Sequence, residues 1–154
     1  MIPILYTDSD QVLSTIGLTP DDISDEVLNS KDLEKVLSVD LYQWLSTHST
    51  IFKSTTAVAT SAERFQSDCL ELYCTYFCAA KVLEMALLIF MKESDGQNEY
   101  NRFGSLDFNR LKAEVMQQAG YYRQTLLTAL SSETAAVRVP QFTVVAPSYD
   151  PVTG

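Results

Sequence analysis

The 154-residue sequence has one histidine, five scattered glycines and three cysteines, and each scarcity removes a class of chemistry. His48 lies beside Ser46, Thr47 and Ser49, but no nucleophile elbow or Gly-rich oxyanion turn accompanies it, so a serine hydrolase site is not expected. Without a Gly-rich loop there is no cradle for a phosphate. Cys69, Cys74 and Cys78 fall in one helical stretch, where thiols four or five apart are too far separated along the axis for a relaxed disulfide. Cys74 and Cys78 form an i, i+4 pair with no second pair elsewhere, which is not a metal-ligand set, and a thiol in an apolar stripe makes a poor nucleophile. No catalytic residue, metal or cofactor is expected.

Basic residues are also few, 11 against 20 acids, for a net charge of −9. This opposes nucleic-acid binding through phosphate neutralisation and binding to an anionic membrane surface. The charge is uneven: residues 1–50 carry nine acids and two bases, a net of −7, whereas residues 101–154 carry four acids and five bases, a net of +1. Such polarity suits head-to-tail stacking of subunits as well as a solvated acidic face. The N-terminus has neither the basic start nor the apolar run of a signal peptide. In the most apolar region, 70–91, Glu71, Lys81 and Glu84 interrupt what would otherwise approach a membrane span. The expectation is a soluble intracellular protein whose cysteines sit in a reducing compartment.

What the chain does have is helical periodicity. Phe65, Cys69, Leu72, Tyr76, Ala79, Leu83, Ala86 and Phe90 recur in steps of four and three, and Leu70, Tyr73, Phe77, Ala80, Leu87 and Met91 form an adjacent stripe. One helix over 61–94 with two apolar stripes is the pattern of a central bundle member, contacted from several sides. Ser61 is its expected N-cap and Asp95-Gly96 its stop. Before it, Thr7 and Asp8 can cap a short helix with Val12, Leu13 and Ile16 inward and Gly17 at its end, followed by a turn at Leu18 to Asp22. Ser30 is placed to start a helix in which Leu33, Val36, Leu37, Leu41, Trp44 and Leu45 face inward, with Asp40 a solvated flank. Phe108, Leu111, Val115, Ala119, Tyr122, Leu126 and Ala129 mark a last helix from about Ser105, with Gly120 open to a close helix approach.

The fold class expected is therefore all-α, a helical bundle over 1–134 around one long central helix, with an extended C-terminal arm over 135–154. Pro140 and Pro147 bar a helix and a central strand there, leaving an arm or edge strand near Gln141 to Val145. Val137, Val139, Phe142, Val144, Val145 and Tyr149 would be an aggregation hazard on a free tail, so the arm is read as docking on a partner. Ile51 and Phe52, the large apolar residues of the Ser/Thr-rich connection over 46–60, are the second candidate contact, the alternative being that both fold back on the bundle.

Two stretches carry a resemblance: Asp8-Ser9-Asp10-Gln11-Val12-Leu13 through Ile16-Gly17-Leu18, and Asp21-Asp22-Ile23-Ser24-Asp25-Glu26-Val27-Leu28. With the order of elements and the closing Ser148-Tyr149-Asp150-Pro151-Val152-Thr153-Gly154, the chain resembles the head-tail connector (adaptor) proteins of tailed bacteriophages. The motifs are caps and apolar spacings rather than chemistry. The resemblance implies a structural, non-enzymatic protein assembled in the host cytoplasm into the virion neck. There a dodecameric ring would sit on the portal protein, with arms reaching to portal or neighbouring copies and a next neck or tail component beyond. DNA would pass through the channel as cargo only, and acids facing that channel would repel it. A β-rich stopper fits the helical periodicity less well. A small cytoplasmic helical enzyme or ligand-binding protein with a pocket around Tyr73, Tyr76, Tyr121 and Tyr122 is the reading from a different class.

Overall fold

The computed structural model describes residues 3–23, 28, 31–52, 59–93 and 108–136. It opens with a two-residue-per-strand hairpin, β1 (Pro3–Ile4) antiparallel to β2 (Thr7–Asp8), in which Ile4 pairs with Thr7. Leu5 turns the corner at a φ of 37°, left-handed backbone uncommon for leucine, and so directs Tyr6 toward the interior. Asp8, not Thr7, caps α1 (Ser9–Thr15), its carboxylate accepting from the Gln11 N–H at 2.9 Å. Thr7 instead shares a 2.7 Å hydrogen bond with Thr75 of the central helix. At the other end of α1, the Gly17 N–H reaches the Ser14 carbonyl and the Leu18 N–H reaches the Leu13 carbonyl. This is a Schellman arrangement, and Gly17 holds its left-handed position at a φ of 72°.

Four further helices follow among the described residues: α2 (Lys31–Trp44), α3 (His48–Ile51), α4 (Ser61–Glu93) and α5 (Phe108–Ala136). The fold is all-α, organised on α4, which touches α1, α2, α3, β2 and α5. With 33 residues, α4 is about 50 Å long at 1.5 Å per residue. α5 runs antiparallel along it, since Tyr76 stacks on Tyr122 while Glu84, farther along α4, pairs with Lys112 at 2.6 Å. The smaller elements cover the remaining faces. Leu13, Leu37, Leu41, Leu70 and Leu126 are fully buried where these helices meet, each contributing about 1.5–3 kcal/mol of transfer free energy.

Several local expectations need correction. The cap of α4 is Thr60, one residue before Ser61: its hydroxyl accepts from the Glu63 N–H at 3.2 Å, and Glu63 accepts in return from the Thr60 N–H at 2.9 Å. This reciprocal capping box satisfies two otherwise orphaned donors. Thr60→Ala is expected to lower stability by about 1 kcal/mol, read as a shift in the urea midpoint, because the hydroxyl loses its bond from the Glu63 N–H and its own 3.1 Å donation to the Glu63 carboxylate. Phe65 and Leu72, placed in the first apolar stripe, are exposed, whereas Cys74, Cys78 and Val82, which belong to neither stripe, are fully buried. The smaller elements draw the buried face of α4 toward themselves, away from its early turns. Val36 is likewise exposed at the flank of α2. Gly120 faces open space, so it weakens α5 by about 1 kcal/mol relative to alanine with no close helix approach in return. The connection over 46–60 is not structureless, because α3 occupies part of it. The helix α5 takes in Ala135 and Ala136, where the arm was expected to begin, and the expected stop at Asp95-Gly96, the cap at Ser30 and the rest of the arm lie outside the described residues.

Candidate interaction surface

The first cluster of polar and aromatic side chains forms where α3 meets the N-terminal hairpin. His48 is buried, and its Nδ1 shares a 2.6 Å hydrogen bond with the Tyr6 hydroxyl. With Tyr6 donating, the ring proton sits on Nε2, a buried atom with no partner among the described residues. Tyr42 meets the imidazole edge-on at 5.0 Å, and Phe52 lies on the Tyr6 ring at 4.6 Å. Burial raises the Tyr6 pKa, with smaller contributions from Cys74 and Tyr42, so this phenol is a poor proton source near neutrality. His48 is held by a tyrosine, not by Ser46, Thr47 or Ser49. Ile51 and Phe52 pack half-buried against this core, giving part of their apolar surface to their own chain.

Across α4 lies a second cluster. Asp40, read from the sequence as a solvated flank, is half-buried and accepts hydrogen bonds from the Trp44 indole at 3.0 Å and from the Tyr73 hydroxyl. An i, i+4 step brings Asp40 and Trp44 onto one face of α2, and Tyr73 reaches them from α4. Arg123 of α5 places its guanidinium 4.9 Å from the Trp44 ring centre, so one carboxylate and one indole tie three helices together. Burial pushes the Tyr73 pKa up, and the Asp40 bond and charge push it further. The geometry is that of a structural clamp.

Cys69, Cys74 and Cys78 are free and buried. Burial raises all three thiols, Cys78 to about 12, and the Cys78 charge adds to the burial effect at Cys74. Thiols so far from ionisation are core residues. Among the described residues no three His, Cys, Asp or Glu side chains converge as metal ligands. No helix there is long and apolar enough to cross a membrane.

What the described surface does present is apolar. On α2, Val39 and Tyr42 are 59% and 64% exposed, beside Val36. Between the start of α4 and the second half of α5 runs an open groove of about 530 Å³, lined by Ala62, Gln66, Ala129, Phe65 and Tyr121, the last two 50% and 61% exposed. Gln124, Thr125, Thr128 and Ser132 also line it, and none of its lining side chains among the described residues is charged. Of the four tyrosines expected around an aromatic pocket, Tyr121 alone lines this groove. Tyr73 turns to Asp40, and Tyr76 stacks on Tyr122 at 5.6 Å. The expected arm contacts Val137, Val139, Phe142, Val144, Val145 and Tyr149 lie outside the described residues. Comparison of the chain with known protein families, with characterised proteins and with solved structures finds no match.

Proposed function

We propose that this chain is a structural assembly subunit, a head-tail adaptor that forms a ring on the portal of a tailed phage and leaves a channel for DNA. The observation that carries the reading is the distribution of exposed large apolar side chains. Val36, Val39 and Tyr42 cluster on α2, and Phe65 and Tyr121 on the α4/α5 pair, while the polar clusters tie helices together. Exposed apolar surface grouped on helix faces is how proteins mark contacts with other chains. In a ring every subunit uses the same two faces, so a modest contact is repeated around the circle. Between those faces α4 serves as a strut, its side chains committed to packing. The acidic N-terminal third suits a surface that DNA must pass without sticking. The portal, neighbouring copies and a next neck or tail component are the partners of this reading.

Native mass measurement and negative-stain imaging of the protein, alone and mixed with portal, test it. Rings or ring-on-portal particles are expected from the mixture, and deletion of residues 137–154 is expected to abolish them while leaving helicity and melting nearly unchanged. A monomer that ignores portal and takes a small ligand into the groove would sink the adaptor reading. That outcome would favour a helical ligand-binding protein, for which about 530 Å³ is an adequate site.

A further inference from the structure

A ring needs one face on each subunit and a different, matching face on the next. We infer that the α2 ridge of one copy, Val36, Val39 and Tyr42, docks into the α4/α5 groove of a second copy. The Tyr42 ring seats against Phe65 and Tyr121, and its hydroxyl donates to the Gln66 carboxamide oxygen. The inference rests on the adaptor reading for its ring and adds the contact from which that ring is built.

Gln66 points to the occupant. It is only 6% exposed, yet it lines the groove, and its carboxamide makes no hydrogen bond among the described residues. An amide held this deep without a partner costs free energy, so the groove is suited to receive a polar atom together with apolar surface. Tyr42 offers that combination. Its ring meets His48 edge-on while the residue stays 64% exposed, and its hydroxyl makes no hydrogen bond among the described residues. An exposed tyrosine brings a large apolar body with one polar tip, which is why tyrosine is enriched where chains meet.

The placement of the two faces makes the second copy the source. Arg123 of α5 reaches Trp44 of α2, whereas Thr125, two residues on and about 200° around the helix, lines the groove. The ridge and the groove therefore lie on opposite sides of α5, and a chain cannot fill its own groove with its own ridge. Two unlike faces on opposite sides give a head-to-tail contact that each added copy repeats, and closure of the rotation gives a ring. Charge favours the unlike pairing as well. α2 belongs to residues 1–50, where nine acids stand against two bases, while α5 carries three bases and two acids. Ridge on ridge would bring two acidic regions together, and ridge in groove does not. Val36, Val39 and Tyr42 are uncharged, as is the groove lining among the described residues, so the contact strands no ion.

Mixing two full-length variants tests this. Tyr42→Arg spoils the ridge and keeps the groove, whereas Thr128→Arg fills the groove and keeps the ridge. Both positions are exposed, so helicity and melting should match the unsubstituted chain. Native mass measurement over a concentration series, without portal and in parallel with it, reads the association. Each variant alone is expected to stay monomeric and to form no ring on portal. Their equimolar mixture is expected to give a heterodimer and nothing larger, because one intact ridge and one intact groove pair only once. Tyr42→Phe keeps the ring and loses the hydroxyl, and is expected to weaken the contact about tenfold. Self-association of Tyr42→Arg would assign the groove to a like groove, and self-association of Thr128→Arg the ridge to a like ridge. Either result overturns the inference, as does a mixture without heterodimer or a Tyr42→Phe chain that associates unchanged. Rings on portal from both single variants would overturn it and leave the adaptor reading standing. A heterodimer from the mixture, with an unsubstituted chain that never forms rings on portal, would keep the contact and sink the adaptor reading.

Discussion

Replacing Leu70 with alanine is expected to lower the free energy of unfolding by about 3 kcal/mol, because the site lies where α4 cannot relax into the space left behind. Leu70 is fully buried, with α5 along one side of its helix and the smaller elements along the others. The lost transfer energy therefore adds to the cost of a cavity. Against a total of about 5–15 kcal/mol for a domain of this kind, that is a large fraction. Urea unfolding should show a lower midpoint with an unchanged slope, since the exposed area on unfolding hardly changes. Phe65→Ala removes a larger side chain from the same helix but is expected to cost less than about 1 kcal/mol, because half of that residue already faces water. Equal losses at the two positions would contradict the burial described for α4.

Stability is expected to fall steeply as pH rises above about 9. The sign follows from which state releases protons first. In the unfolded chain the Cys74 and Cys78 thiols ionise near their ordinary value of about 8.5, whereas in the fold burial holds Cys78 protonated to about 12 and pushes Cys74 up as well. Tyr73 behaves alike above about 10, raised by burial and by Asp40. Raised folded pKa values contribute stability that is complete below the unfolded pKa and disappears as pH climbs toward the folded one. Each thiol then contributes a slope of about 1.4 kcal/mol per pH unit. The two together should weaken the protein by several kcal/mol between pH 9 and 11. Urea midpoints at pH 7, 9 and 10.5 under reducing conditions measure this. The double variant Cys74→Ala/Cys78→Ala should lose most of the slope, and a flat wild-type profile would refute the account.

The start of α4 was readable to within a residue because a long run of unbroken helical spacing behind a Ser/Thr-rich entry leaves few alternatives. The depth of each position was less readable. Two apolar stripes predict contact on several sides but not how far along the helix each neighbour extends. Phe65 and Leu72 fit the period, yet the smaller elements bury Cys74 and Cys78 in preference to them. Asp40 was misread because a lone acid on an amphipathic helix is usually solvated. Its partner Tyr73 lies 33 positions away, and only the i, i+4 step to Trp44 was visible locally. Nothing near His48 in the chain points to its partner Tyr6, 42 positions earlier. The groove went unforeseen because it belongs to two helices jointly, and spacing within one helix carries no record of the other.

The hydroxyl pair Thr7–Thr75 and the Tyr6–His48 bond have a consequence for the order in which the molecule is completed. Their partners lie 68 and 42 residues farther along the chain. At synthesis rates of about 5–20 residues per second, Thr7 waits roughly 3–14 s for the residue it will bond. Tyr6 and Thr7 therefore cannot complete these bonds until His48 and Thr75 have been added to the chain.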